Sequence, residues 1–485
     1  MNLKRCNIIL SVFFALFIQN NLYSQETSWS VPDKIKNKMH HSEILGSSNN
    51  HYYIVRYNKS YNQDFIFTRY NKNMEIANQL EFQIDKGETI EKILMMGNMI
   101  YIFYSVFNKE NKEYELYCTI LNDRFSFTRR NVLIAATKVT PSNSNTFKIN
   151  FDRVFQRILI VFPSEIKSDI VKFNFIVLNK QLDTYKISET IVSLRKEFSV
   201  EQLSLFGDNA AAIIRIVEEK GIFKSNIEKL RFFQLDLQDN KSNITELYND
   251  TLAISTAVYK YNFNEQQYII SGLYFTDENE YFKGMAVYRT ESKNNLASQK
   301  FIAFSIEMIS ALEGAGYKAK GLSDYYTSKL IVRDDGGFVI MAEKFTITKE
   351  VMNNYYSLNN TYIRYFYRFG DILITSFDQN NNVEWTKVIK KDQTTLNDEG
   401  YYSSFHSSAF SGQIVVIYND ISRSNWNLMI NSINPEGKID YSIISNTGKV
   451  SGNPIPKSSR QVSSNEILVP VINVSKGFTL MRITF

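Results

Sequence analysis

One short pattern recurs along this 485-residue chain and constrains its fold more than any other feature. Residues 377–385 (FDQNNNVEW) and 433–441 (INPEGKIDY) superpose without a gap. Each reads as a strand end, an Asx residue that opens a turn, a residue suited to positive φ (Asn381, Gly437), and the start of a new strand. Weaker copies open at Asn71, Asn122, Asn179 and Asp236, at intervals of 51, 57 and 57 residues, and the two strong copies stand 56 apart. The 142 residues between Asp236 and Asp378 hold two more periods and some thirty inserted residues, with a degenerate copy near Thr290.

A second element keeps the same rhythm. Apolar runs at 52–57 (YYIVRY), 99–104 (MIYIFY), 158–162 (ILIVF), 212–216 (AIIRI), 268–274 (YIISGLY), 338–342 (FVIMA), 414–418 (IVVIY) and 467–472 (ILVPVI) are rich in β-branched and aromatic residues. Such runs form strands. A period in the fifties that carries several strands and a hairpin fits a four-stranded propeller blade, whereas a sandwich would not repeat so evenly. The expected fold is all-β: a single closed β-propeller of about eight four-stranded blades over residues 25–485, or seven if the copy near Thr290 is spurious. The last run, 478–485, stops where Phe377 stands, just before the hairpin turn, and 26–31 (ETSWSV) loosely matches the strand just after it. The two termini are therefore expected to complete one blade together and close the ring. Within the inserted stretch, 304–317 has helical spacing and predicts a short helix, while polar, Asn-rich 346–361 reads as a long hairpin loop.

Residues 1–24 read as a signal peptide. Lys4 and Arg5 precede an apolar run from Ile8 to Ile18, and Leu22, Tyr23 and Ser24 offer a cleavage end. The run is too short to span a bilayer, and no later segment has eighteen uninterrupted apolar residues. The expectation is export by signal peptide to the periplasm, cell surface or exterior, with no transmembrane segment after signal removal. Cleavage removes Cys6 and leaves Cys118, a buried structural thiol on its strand-like setting. With 55 Lys+Arg against 50 Asp+Glu, two of the positives lost with the leader, the surface lacks the excess charge that nucleic-acid binding needs.

Chemistry-bearing motifs are few. The glycines at 314, 316 and 321 follow a helical pattern with the wrong spacing for a dinucleotide or phosphate loop, so no cofactor is implied. The four histidines, His40, His41, His51 and His406, form no metal motif and read as exposed or core residues, with no metal site expected. Asp378, Asn380 and Asn382 mimic a calcium loop without its glycine and glutamate, and the hairpin explains them better. No catalytic constellation is present. What remains is a set of candidate ligand-binding residues, Asp335, Glu343, Asp371, Lys391 and Asp420, with Asn419 beside the last. Glu343, next to Ala342 in an apolar strand, is expected to point into the central channel, Asp371, Lys391, Asn419 and Asp420 to lie at strand ends near its mouth, and Asp335 to belong to a turn before a strand.

The stretch from about 304 to 425 resembles a family of uncharacterised secreted β-propeller proteins from Gram-negative bacteria. The matching pieces are Asp335 to Gly337 with Glu343, residues 371–375 (DILIT), Asp378 through Trp385, 390–393 (KKDQ), 401–405 (YYSSF) and 417–420 (IYND). The resemblance implies export and a propeller and implies no activity. The functional expectation is an exported, non-enzymatic binding or scaffold propeller of the bacterial envelope or exterior, with a protein or glycan partner. Its rival is a glycan-active hydrolase or lyase that uses Glu343, Asp335 and Asp371 as channel acids.

Overall fold

The computed structural model describes residues 25–485 except 35–38, 40, 59–63, 140–145, 168–169, 194–196, 219–226, 249–251, 277–280, 292–295, 315, 317–319, 354–360, 423–424, 445–451 and 474–476. The signal-peptide reading of residues 1–24 falls outside them. Eight antiparallel sheets follow one another along the chain, over 41–83, 88–137, 148–193, 197–246, 252–303, 325–396, 405–444 and 453–484. In the first seven, four strands pair in sequence order, and the sixth adds a short fifth strand that pairs with its third. In the eighth, Glu26–Trp29 pairs with Gly477–Thr484, in register from Glu26 opposite Thr484 to Trp29 opposite Met481. The two ends of the chain thus share one sheet, as their likeness to the internal repeat required.

The core is divided into eight wedges. One apolar cluster lies between each pair of successive sheets. The remaining cluster packs Ile44, Tyr52, Ile54 and Tyr70 of the first sheet on Ile455, Leu468, Phe478 and Leu480 of the eighth. That is the contact a closed β-propeller requires, and it makes the count eight blades rather than seven. The fifth blade, where the repeat is degenerate, is complete: Gly284–Glu291 and Leu296–Ala303 pair, with the turn between them outside the described residues.

This architecture explains the texture of the sequence. A middle strand is covered on both faces, so His51–Tyr57 is buried at five consecutive positions and reads as a continuous apolar run. An outermost strand such as Ile76–Gln83 has no buried position and leaves a weak signal. First strands touch one another between the first and second, second and third, third and fourth, and fifth and sixth blades. Five of them carry a bulge in the same region, at Ile44/Gly46, Ile90/Lys92, Val200/Gln202, Ile254/Thr256 and Thr327/Lys329. A bulge bends its strand and re-aims the side chains beside it. In the fourth, fifth and sixth blades that point lines the cleft described below.

Two expectations need adjusting. The helix is real but shorter, Ile306–Glu313, capped by the Ser305 hydroxyl and ended at Gly314, whose φ of 91° carries the chain away. The polar stretch after Thr346 is a strand for much of its length. Phe338–Asn353 and Thr361–Phe377 stay paired as far as Asn353 opposite Thr361. A two-stranded ribbon exposed on both faces needs no apolar run, so its sequence looked like a loop.

Candidate functional site

Each blade has two ends: one with the turns between its first and second and its third and fourth strands, the other with the second-to-third hairpins and the crossovers to the next blade. Asp335 belongs to the turn end. Its Oδ1 accepts from Gly337 N at 3.0 Å and from Arg333 Nε at 3.1 Å, and Arg333 also bonds to Ser376 and Glu384. The Arg333 guanidinium holds the Asp335 carboxyl below the usual range. It is a turn residue away from the other candidates. Asp420 lies at the correct end but is exposed, because strand alternation turns it outward while Asn419 turns inward and is buried.

Glu343, Asp371 and Lys391 come together, in an arrangement unlike the expected one. Glu343 does not reach the channel. It sits on a second strand, behind the first, so its side chain enters the wedge between the sixth and seventh blades and is fully buried. There Oε1 meets Lys391 Nζ at 2.6 Å, with the lysine side chain equally enclosed. Glu343 Oε2 accepts from Ser404 Oγ at 2.6 Å and from the Tyr326 hydroxyl at 2.5 Å. Lys391 also donates to Gln393 Oε1 at 2.9 Å, an oxygen that takes a second bond from Ser404 N.

The local chain path delivers Lys391 to this place. After the fourth strand, Val383–Ile389, the chain leaves the sheet briefly and returns in the same direction, so that Gln393–Leu396 pairs with the next stretch of the same third strand. Asp371 organises the excursion: its Oδ1 accepts from Lys391 N at 3.2 Å, and its Oδ2 pairs with Lys390 at 2.7 Å. Gln393 Nε2 continues to Asn419 O, and Asn419 Nδ2 bonds to Tyr402 O and Pro454 O, at 2.8–2.9 Å. A single polar network therefore runs through the sixth, seventh and eighth blades. Burial pushes the Lys391 ammonium below its usual range, with the Glu343 charge opposing the shift, and burial beside that carboxylate raises the Tyr326 phenol well above its own.

Tyr326 and Ser404 have a second face. Both line a cleft of about 680 Å³ at the channel mouth. Its far wall is made by the bulges of the fourth, fifth and sixth blades (Gln202, Thr256, Ser328), and Phe345 and Phe369 pack together at its rim, ring centroids 4.5 Å apart. The one carboxylate among its lining residues, Glu201, bonds to Arg215 Nε at 3.1 Å. The buried pair thus lies directly behind the cleft and fixes two of its lining hydroxyls, so that each presents its oxygen at a set position.

Other residues singled out in the sequence lie elsewhere in the structure. Cys118 is buried between the second and third blades, and burial raises its thiol far above the usual range. Asp378 Oδ1 accepts from the backbone N–H groups of Asn380 and Asn382, which is turn chemistry. His51 is bonded to Asn49 O in the first blade and His406 to Ser408 Oγ in the seventh, and no metal-holding group of three His, Cys, Asp or Glu side chains exists among the described residues. No helix among them is long and apolar enough to cross a membrane.

No family model matches the sequence, and no curated protein does. Solved structures give remote likenesses. The β-propeller domain of the Trilobed protease from Pyrococcus furiosus is 9% identical, over 84% of this chain and 97% of that one, with a TM-score of 0.35. The WD40 domain of SCAP from fission yeast is 10% identical over 95% and 98%, with a TM-score of 0.27. The Bombyx mori GH32 β-fructofuranosidase BmSUC1 is 11% identical over 95% and 93%, with a TM-score of 0.29. Likenesses this distant assign no residue a role.

Proposed function

We propose that this chain is an exported, non-enzymatic binding propeller of the bacterial envelope or exterior, which holds a protein or glycan partner at the channel-mouth cleft. The observation that supports this reading is the state of the acids. Hydrolysis of a glycoside by paired carboxyl groups requires two of them about 5–9 Å apart and facing one substrate. Here Glu343 and Asp371 are both committed to lysines, Asp335 is at the opposite end of the blade, and the cleft carries Glu201 alone. What the cleft does offer is an aromatic rim at Phe345 and Phe369 above fixed hydroxyls, which suits stacking and hydrogen bonding to a sugar or a planar side chain.

Affinity electrophoresis through gels that each contain one polysaccharide, run beside reducing-end release from the same polysaccharides, tests the reading. Retention without release, weakened about tenfold by Phe369→Ala, is the expected result for a glycan partner. Absence of retention on every polysaccharide assigns the cleft to a protein partner. Reducing-end release that disappears in Glu201→Gln would overturn the non-enzymatic reading.

A further inference from the structure

The second and third strands of the sixth blade run on past Phe345 and Phe369 as a ribbon. Residues directly opposite each other on paired strands share a face. One face therefore carries Phe345 with Phe369, Ile347 with Tyr367, Lys349 with Tyr365, and Val351 with Ile363. The other carries Thr346 with Arg368, Thr348 with Phe366, and Glu350 with Arg364. The first face is apolar except for Lys349, and it starts at the two rings that form the rim of the cleft. Ile347 and Val351 are more than half exposed on it, at 54% and 58%, and Ile363 and Tyr365 are exposed beside them. The second face is polar, with Arg368 paired to Asp392 at 2.8 Å.

This ribbon has a bare edge. The first strand of the blade, Tyr325–Val332, pairs with the second only as far as Tyr325 opposite Lys344. Phe345 N then donates to Asp324 O at 2.7 Å, and Asp324, at a φ of 60°, is where the chain enters that row. From residue 346 to 352, no strand pairs with this side among the described residues. The opposite edge is covered as far as Tyr365 by Gln393–Leu396 and Asn397. Strand geometry says which groups the bare edge presents. Phe345 N points off it, and Tyr365, opposite Lys349, turns both its N–H and its C=O away from the seam to Asn397, each at 2.9 Å. In an antiparallel pair such residues alternate with those that bond across the seam. The N–H and C=O groups of Ile347, Lys349 and Val351 therefore point off the bare edge, while Thr346, Thr348 and Glu350 hold the ribbon together.

An alternating row of unpaired backbone donors and acceptors matches the backbone of another extended chain. Such a chain would set alternate side chains beside Ile347, Lys349 and Val351, on the apolar face. Apolar residues suit the outer two places, and a carboxylate suits the middle one, because Lys349 has no ion-pair partner among the described residues. A second copy fits poorly. Pairing the edge with itself about its centre sets Lys349 against the same lysine of the other copy, and like charges directly opposite destabilise a sheet. The lysine thus guards the edge against self-pairing and leaves it open to a strand that brings an acid. We propose that residues 346–352 take up an extended protein segment as an added strand, with apolar, acidic and apolar side chains opposite Ile347, Lys349 and Val351. The proposal rests on the reading of this chain as a binding propeller and gives it a protein partner at the ribbon, whatever fills the cleft below the rim.

Fluorescence anisotropy of the full chain with a labelled peptide, acetyl-Thr-Val-Thr-Glu-Thr-Val-Thr-amide, tests it. The pattern is symmetric, so it fits in either strand direction. Saturable binding is expected, and it should vanish when the peptide is N-methylated at Val, Glu and Val, whose amides would face the ribbon. N-methylation at the third and fifth residues, whose amides would face solvent, should leave it intact. On the protein side, Lys349→Pro removes one edge donor and no bond of the ribbon, a change that edge strands tolerate, so it should weaken binding about tenfold with Tm unchanged. Lys349→Gln keeps the donor and loses only the charge, a weakening of about threefold. Absence of binding, equal binding of the two methylated peptides, or undiminished binding by Lys349→Pro would overturn the proposal. A concentration-dependent dimer in sedimentation that Lys349→Pro abolishes would overturn it in favour of a second copy. Polysaccharide retention at the cleft is read separately, through Phe369→Ala, so failure at the ribbon is distinguished from failure of the cleft.

Discussion

At the residue scale, the Glu343–Lys391 pair shows how a buried charge can shape a surface it never touches. Two enclosed ions are held here by each other and by further hydrogen bonds: Ser404 and Tyr326 on one oxygen of the carboxylate, Gln393 on the ammonium. Removing one ion leaves the other uncompensated. Glu343→Gln should therefore lower stability by about 3–5 kcal/mol, and Lys391→Met by a similar amount, whereas the Glu343→Leu, Lys391→Met double variant should lose much less than the two singles together. Denaturant unfolding of the set measures this, and additive losses would show that the ions act independently. Part of this site was legible in the sequence. An acid inside an apolar run marked Glu343, and a lysine at a strand end marked Lys391. The rest was not: Tyr326, Ser404 and Gln393 are ordinary polar residues until the short break in pairing after Ile389 brings them to one point. Asp335 and Asp420 carried the same acidic signal for other reasons, a turn and a solvated strand end.

At the element scale, the recurring turn does more than reverse the chain. Its fourth residue adopts positive φ in the first, second, third, sixth and seventh blades, at Met74, Phe125, Leu182, Asn381 and Gly437. The first three of these side chains drop into the wedge shared with the preceding blade. Asn381 instead accepts from Arg289 Nε of the preceding blade at 2.7 Å. At Gly437 the space is filled from the other side, by Trp385 of the sixth blade, whose Nε1 donates to Pro435 O at 2.8 Å. A Cβ at Gly437 would stand 2.7 Å from the Trp385 ring, at a φ of 78°. Gly437→Ala should thus cost about 2–4 kcal/mol, from the left-handed backbone and from overpacking together. Its unfolding midpoint, with Trp385 fluorescence as the local reporter, checks this, and a loss below about 0.5 kcal/mol would mean that the indole moves aside freely. The weaker copies were hard to recognise for the same physical reason. Packing against the neighbouring blade compensates Met, Phe and Leu for a conformation that local preference would give to Gly or Asn, so tertiary contact overrode the turn signature.

At the scale of the whole molecule, the ring depends on the short contact made by its two ends. The eight-fold repeat was legible because each blade needs the same strands and turn, and closure was legible because the two ends look like the halves of one repeat. The residue that clasps them was not, since Asp33 lies in neither half. Asp33 exchanges backbone hydrogen bonds with Phe478 at 2.8 Å in both directions, and its carboxylate pairs with Arg56 of the first blade, a guanidinium enclosed almost completely. One residue therefore joins the N-terminal strand, the C-terminal strand and the adjoining blade. Asp33→Asn keeps the backbone bonds and strands the Arg56 charge, a loss of about 3 kcal/mol. If closure is a separate cooperative step, the loss should be local before it is global. Amide hydrogen exchange along Gly477–Thr484 should accelerate while that of Ile227–Asp236, on the far side of the ring, keeps its wild-type ranking. Unchanged exchange at Gly477–Thr484 would show that the terminal strand holds the ring without this ion pair, and equal acceleration in both strands would show that the eight blades open as one unit.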